Sequence, residues 1–160
     1  MSTRESVTAA ELAKLPLFEG LVETDLEPLA SGSARRRLLD GETLVEAGAS
    51  ISEVHWLETG QLALRVRHDH RWVLVSTLHA GDLLGWSALR EEPRALSTAR
   101  AIGPAVLISM PASGLLILLA GGSANSQLLL RRLFGIATQH LDESRAQLLQ
   151  LGREGVISAG

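Results

Sequence analysis

The stretch that decides the fold is Ala80-Gly81-Asp82-Leu83-Leu84-Gly85, followed a little later by Pro93-Arg94-Ala95. It lies in a zone, roughly residues 33 to 110, in which short apolar runs are separated by turn dipeptides such as Asp40-Gly41. This punctuation predicts short strands joined by tight turns. The regular spacing of the strands indicates a sandwich or a barrel.

The clearest strand of this zone is the run Leu62–Arg67. Its leucines and valine alternate with alanine and two arginines, which is the period of two expected when one face of a strand meets water. The polar segment His68-Asp69-His70 then predicts a hairpin tip, and residues 72 to 77 predict the returning strand. Two histidines at this spacing also occur in metal sites, but no carboxylate follows them, so we interpret them as solvated turn residues.

The flanks of the β zone have helical patterns. Residues 1 to about 30 are predicted to be helical, because their leucines recur at amphipathic spacing. On the other side, Pro111 begins a short helix that runs to Ala120, and a long helix follows from about residue 124 to 151. The chain is therefore predicted to be one domain over residues 1–160, with helices to about 30, a β-roll at 33–110 and helices at 111–151.

The long helix carries an apolar seam. Its members recur at alternating intervals of four and three residues, the a and d positions of a coiled coil: Leu130, Phe134, Ala137, Leu141, Ser144, Leu148 and Leu151. One hypothesis is that this face packs on its own domain. The other, which we favour, is that it is the interface of a homodimer.

Composition excludes several classes of function. The chain has 160 residues, 46% of them hydrophobic, and no cysteine, so disulfides and thiolate metal sites are ruled out. Its net charge of −3 lacks the basic excess of a direct nucleic-acid binder. Neither a signal peptide nor a membrane-spanning stretch is recognisable, so we expect a cytoplasmic protein that does not enter a membrane.

The order of these elements, with a small set of residues, resembles a known family. The residues that carry the resemblance are Leu15-Pro16-Leu17-Phe18, Asp40-Gly41-Glu42, Gly48, Gly60, the 80–85 stretch and Pro93-Arg94-Ala95. Over about residues 15 to 150 the chain resembles the cyclic-nucleotide-binding domain of the bacterial cyclic-AMP receptor protein and FNR family. The resemblance implies a mainly β fold with flanking helices, a double-stranded β-helix (jelly roll) with a long C-terminal helix.

The resemblance also implies a ligand site. In this family a short helix and loop hold the cyclic phosphate through backbone N–H groups and one arginine, and Arg94 is at about that arginine's place. The implied ligand is a cyclic nucleotide such as cyclic AMP or another small anion, with no cofactor and no metal. The residues expected to bind it are Gly85, Trp86, Ser87, Ala88, Arg94, Ala95, Ser97 and Thr98.

Three departures from the family's pattern leave two interpretations of the site. Trp86 occupies the position of a glutamate that accepts a hydrogen bond from the ribose, which an indole cannot do. The spacing from Gly85 to Arg94 is one residue short, and Leu96 replaces a small hydroxyl residue. Either Arg94 still binds a small anion while Trp86 lines the pocket, or Trp86 fills the pocket and Arg94 makes a structural salt bridge.

The implied role is regulatory. We expect a sensor that signals through its C-terminal helix to a protein partner, because the residues after Leu151 are too few for a DNA-binding domain. The alternatives are a degenerate, ligand-free interaction module and the sensor part of a Crp/FNR-type transcriptional regulator. No catalytic motif is recognisable, so the chain is not expected to be an enzyme.

A few further residues are interpreted without a functional role. His55 and His140 are isolated and are interpreted as structural. Trp56 and Trp72 are interpreted as packing residues. The cluster Arg35-Arg36-Arg37 is interpreted as an exposed sheet edge whose charges block strand pairing, with a site for an acidic partner as the alternative.

Overall fold

The computed structural model describes residues 4 to 157, with side chains described as far as residue 150. The strands are β1 (Arg4–Ser6), β2 (Ala34–Leu38), β3 (Thr43–Val45), β4 (Glu53–His68), β5 (Arg71–His79), β6 (Leu83–Leu84) and β7 (Thr98–Pro111). The helices are α1 (Ala9–Ala13), α2 (Glu23–Ser31), α3 (Ala112–Ala120) and α4 (Ala124–Ile157). Short 3₁₀ turns span Pro16–Phe18 and Trp86–Leu89.

The strands form an antiparallel roll around two long strands, β4 and β7. The sheet order is β1-β2-β7-β4-β5, with β3 paired to β7 and β6 paired to β4. The register of β4 against β7 shifts between Leu57 and Gln61, and such bulges bend a strand and increase its twist. The expected fold class, a mainly β jelly roll with flanking helices and a long C-terminal helix, is confirmed.

Gly60 lies at this bend in β4. Its φ is +88°, and a Cβ atom there would come within 2.4 Å of the Pro104 carbonyl oxygen and 2.8 Å of the Ala105 Cα. Both neighbours are backbone atoms of β7, which cannot rotate away as a side chain could. The close crossing of β4 and β7 therefore requires glycine at this position.

Two clusters of buried side chains make the core. The larger one joins one end of the roll to the N-terminal helices, α3 and the first half of α4, and includes Phe18, Leu26, Met110 and Leu115. The smaller one fills the roll and includes Leu57, Leu62 and Leu107. Each such side chain contributes about 1.5–3 kcal/mol by leaving water. The helices are therefore part of the same packed unit as the sheet.

The N-terminal segment differs from its prediction. The sequence predicts helices over residues 1 to about 30, but Arg4–Ser6 form β1, which pairs with β2. Helix α1 begins only at Ala9, because Thr8 and Glu11 form a capping box: the Thr8 hydroxyl accepts from the Glu11 N–H, and the Glu11 carboxylate accepts from the Thr8 N–H.

The arginine cluster in β2 is not a sheet edge, because β2 is paired on both sides, with β1 and with β7. That interpretation is wrong. The Arg35 guanidinium instead makes a two-point pair with Glu58, at 2.7 and 3.0 Å, and reaches the Glu11 carboxylate at 3.1 Å. The Thr8 N–H and Arg35 together lower the pKa of Glu11 to about 2. These ionic contacts attach the N-terminal segment to the roll.

The C-terminal helices begin where the sequence predicts them. Helix α3 ends at Ala120, and the Ser123 hydroxyl accepts a hydrogen bond from the Ser126 N–H at 3.1 Å, which caps the start of α4. Leu129 on α4 is fully buried against the core, so the first half of the helix is anchored. None of the helices in the described part of the chain is long and apolar enough to cross a membrane.

Candidate functional site

A cavity of about 210 Å³ lies inside the roll, below the segment of residues 85 to 97 and against helix α4. Strand β4 supplies Glu53, His55 and Leu64 to its wall, and α4 supplies His140 and Glu143. Its lining mixes apolar side chains with a few polar groups, which is the usual make-up of a small-molecule site. We call it the inner cavity.

Five of the eight predicted ligand residues line the inner cavity: Gly85, Trp86, Ser87, Ala95 and Ser97. Ala88 is buried but packs into the larger core cluster.

Arg94 and Thr98 are not among the residues that line the inner cavity. The Arg94 side chain is exposed, and its Nη1 donates to the Gly48 carbonyl oxygen at 3.2 Å. The Thr98 hydroxyl accepts from the Ala47 N–H at 3.0 Å. The structure therefore does not bring the expected phosphate-binding arginine to the site.

Gly85 sets the path of the segment above the cavity. Its φ is +81°, and a Cβ atom there would lie 2.8 Å from the Glu53 carbonyl oxygen and 3.4 Å from the His55 Cδ2. The absence of a side chain lets the segment pass directly over β4 before the 3₁₀ turn begins at Trp86. The Ser87 hydroxyl then donates to the Arg94 carbonyl oxygen at 3.2 Å, which ties the start of the segment to its end.

The backbone explains why Arg94 lies outside. Both backbone polar groups of Ala95 pair with the loop before β4. Its N–H donates to the Ala49 carbonyl at 2.9 Å, and its carbonyl accepts from the Gly48 N–H at 2.7 Å. This pairing leaves Ala95 in the wall of the inner cavity, whereas the exposed Arg94 side chain is held by the Gly48 carbonyl oxygen.

The electrostatics of the inner cavity do not favour an anion. Its described lining holds two carboxylates, Glu53 and Glu143, and no arginine or lysine. Burial lowers the pKa of His55 to about 4, so its imidazole is neutral at pH 7. The His55 Nδ1 shares a 2.8 Å hydrogen bond with the Ser109 hydroxyl. Glu53 is ion-paired with Arg4 at 3.0 Å, so Glu143 is the lining carboxylate without an arginine or lysine partner among the described residues, and a bound phosphate would find no cationic side chain in the described lining.

Trp86 lines the inner cavity without filling it. Its indole stacks on the imidazole of His140, with ring centroids 6.3 Å apart and planes 24° apart, and 36% of the residue is exposed. The ring thus sits at the mouth of the cavity and bridges the segment of residues 85 to 97 to helix α4.

The model of the cyclic nucleotide-binding domain family matches residues 35–121, more than half of the chain. This chain belongs to that family. No curated protein matches it at the sequence level.

Solved structures agree on the fold. A cyclic nucleotide-binding domain from Methylobacillus flagellatus has a TM-score of 0.76 and 16% identity, over 92% of this chain and 88% of that one. A putative cyclic nucleotide-binding protein from Geobacter metallireducens has a TM-score of 0.71 and 18% identity, over 84% of this chain and 98% of that one. The catabolite activator protein of Thermus thermophilus has a TM-score of 0.67 and 22% identity, over 86% of this chain and 63% of that one.

Two histidines of this cyclic nucleotide-binding domain, His55 and His140, line the inner cavity, which sequence reasoning did not predict. His55 is also buried and hydrogen-bonded to Ser109, as its structural interpretation expects. For His140 a signal existed, because it recurs with Glu143, Ser144 and Gln147 at helical spacing, which makes a polar stripe beside the apolar seam. Ser144 was assigned to the seam, but it also lines the inner cavity, and its hydroxyl donates to the His140 carbonyl at 2.8 Å.

Proposed function

We propose that this domain is a non-catalytic sensor whose inner cavity takes a compact ligand without net negative charge. The observation that carries the proposal is the described lining, which holds Glu53 and Glu143 but no arginine or lysine. The volume of about 210 Å³ is below the range of about 300–1,000 Å³ usual for drug-sized ligands, so a ligand confined to the inner cavity, without entering an adjoining groove between α4 and the roll, is smaller than a nucleotide.

The same contacts supply a route for the signal. A ligand in the inner cavity touches Trp86 on one side and the α4 residues His140 and Glu143 on the other. The groove of about 880 Å³ between α4 and the roll adjoins the inner cavity, since both are lined by His140, Glu143 and Gln147, and it leaves space into which the helix can move. The ligand shifts α4 only if it binds one helix position better than the other, as any population shift requires.

We propose a second copy of this chain as the occupant of the seam on α4. Its large members are exposed, at 50–69%, although they are apolar: Leu130, Phe134, Leu141 and Leu148. A repeat of four and three residues is self-complementary, so two identical helices can interlock along it. The side chain of Leu151, the last predicted member, lies outside the described residues. Ser144 belongs to both seam and cavity, so ligand binding changes the surface offered to the dimer and to a protein partner.

A ligand-free interaction module is the second candidate. It is favoured by the stacking of Trp86 on His140, which already joins the segment of residues 85 to 97 to α4 without any ligand. In that case the ring pair is a fixed brace, and neither its spectrum nor the dimer responds to small molecules.

A charge series on one ring tests the first candidate. Benzylamine, benzyl alcohol and benzoate have the same ring and differ in charge at neutral pH. The Glu143 carboxylate near the ligand, with no cationic side chain in the described lining, implies that benzylamine binds at least about tenfold more tightly than benzoate, a free-energy difference of about 1.4 kcal/mol. The measurement is the NMR shift of the Trp86 indole N–H during each titration, with resonances assigned by a Trp86→Phe variant.

The control separates the cavity from general electrostatics. Glu143→Gln removes a carboxylate from the lining and is expected to reduce the preference for benzylamine several-fold. Glu91→Gln makes the same charge change on an exposed part of the 85–97 segment that does not line the cavity, and should leave the preference unchanged. Tighter binding of benzoate would contradict the proposed ligand class, and no response to any compound would favour the ligand-free module.

A further inference from the structure

The outer face of the roll carries a second concavity, a groove of about 420 Å³. It is separated from the inner cavity by the sheet itself, and neighbouring residues alternate between the two. Leu64 lines the inner cavity, and its neighbour Arg65 lines the outer groove. Likewise, Ser97 lines the inner cavity, and Thr98 lines the outer groove. Because adjacent side chains of a strand point to opposite faces, the alternating pattern of β4 places its arginines outside.

Strand pairing gathers three arginines on this outer face. Arg65 lies opposite Thr98, and Arg67 lies opposite Trp72 in the β4–β5 hairpin. Arg100 on β7 lies opposite Thr43 on β3. Directly paired residues share a face of the sheet. All of these residues accordingly line the outer groove.

The three guanidinium groups of the outer groove have no acidic partner among the described residues. No carboxylate lies within 4.0 Å of Arg65, Arg67 or Arg100, in contrast to Arg35, which contacts two. The Arg100 Nε donates to the Gly41 carbonyl at 2.6 Å, which orients the group without neutralising it. One lining carboxylate, Glu46, is present. In a chain of net charge −3, this groove is a local excess of positive charge.

An aromatic ring stands at one end of the groove. Trp72 was interpreted as a packing residue, and that interpretation is wrong, because 54% of it is exposed. The Arg67 guanidinium carbon lies 5.7 Å from the centroid of its ring, a cation–π contact that fixes the arginine beside the indole. An exposed ring next to unpaired arginines combines a stacking surface with phosphate donors.

We propose that the outer groove binds a nucleoside polyphosphate, with the phosphates on Arg65 and Arg100 and the base against Trp72. The volume of about 420 Å³ lies within the range usual for small-molecule sites. Arginine matches phosphate oxygens in a two-point geometry, and the hydroxyl of Thr43 adds a donor at the same place. This site is independent of the inner cavity and of the ligand proposed for it.

Titration calorimetry with ATP, pyrophosphate and adenosine tests the site. ATP is expected to bind in the micromolar range, pyrophosphate more weakly, and adenosine not measurably. The double variant Arg65→Gln/Arg100→Gln should weaken ATP at least 30-fold. Trp72→Leu should weaken ATP about fivefold while leaving pyrophosphate unchanged, because only the base touches the ring.

Arg71→Gln is the matched control. It removes one positive charge, against two in the double variant, from the hairpin that carries Arg65, but the alternation of β5 turns residue 71 away from the face of Trp72, and it does not line the groove. ATP affinity should change less than twofold in this variant, with the thermal midpoint of each variant confirming the fold. An absence of ATP binding at millimolar concentration, or equal weakening by Arg71→Gln, would overturn the proposal.

Discussion

Replacing Gly60 by alanine is expected to lower the free energy of unfolding by about 3 kcal/mol or more. The new Cβ must occupy a backbone of φ +88° and lies 2.4 Å from the Pro104 carbonyl oxygen, so β4 and β7 have to separate. These two strands pair along most of their length and carry the buried side chains of the roll. A loss of this size is a large fraction of the about 5–15 kcal/mol that holds a typical domain folded.

Gly48→Ala is the control for that variant. Gly48 has nearly the same φ, +83°, but nothing lies within 4 Å of its added Cβ. The free energy of unfolding of the Gly48→Ala variant should therefore fall by only about 1 kcal/mol, the cost of placing a side chain on a backbone with positive φ. Urea unfolding followed by circular dichroism measures both variants. Equal losses would show that the crossing of β4 and β7 is not as tight as the structure has it.

Introducing glutamate at Phe134 and Leu141 together is expected to weaken the proposed dimer at least 100-fold. Both side chains are exposed members of the seam on α4, and each large apolar group contributes about 1.5–3 kcal/mol when it is buried between two helices. The variant also places like charges opposite each other across the two-fold axis. Sedimentation equilibrium gives the dissociation constant of each protein directly.

Ile117→Glu is the matched control for the seam. Ile117 lies on α3 and is 68% exposed, against 69% for Phe134, so the same apolar-to-acidic change is made on an equally open surface. The dimer should survive it with less than a threefold change in affinity. A wild-type chain that sediments as a monomer at tens of micromolar, or a dimer lost equally in Ile117→Glu, would contradict the assignment of the seam.

The β zone could be predicted because its signals are local. The run Leu62 to Arg67 lies in strand β4 as its pattern predicts, and the chain turns at Asp69 and His70, both with positive φ; the burial over the run does not alternate, because Ala63 is buried as well as Leu62. Strand β1 could not be predicted in the same way. Its three residues, Arg4–Ser6, are polar and exposed, and they form a strand only because β2 offers them a partner. That pairing in turn makes β2 an interior strand.

The position of the candidate site could be predicted from the sequence, but the charge of its lining could not. The segment of residues 85 to 97 does cover a cavity, as the family resemblance implies. Which way Arg94 faces depends on the pairing of Ala95 with Gly48 and Ala49, a contact distant in sequence. In this pairing the Arg94 side chain is exposed and donates to the Gly48 carbonyl oxygen, so the cation does not line the cavity. The approach of His140 to Trp86 likewise depends on how α4 packs on the roll.

The most direct measurement is isothermal titration of the nucleotide-free protein with cyclic AMP. The Arg65→Gln/Arg100→Gln background is used, so that the outer groove does not contribute. Because the inner cavity presents Glu53 and Glu143 and no described arginine or lysine, we expect no binding heat up to millimolar nucleotide and no change in thermal midpoint. Micromolar binding that disappears in Arg94→Ala would contradict the account, since it would require Arg94 to reach the cavity and neutralise a phosphate there.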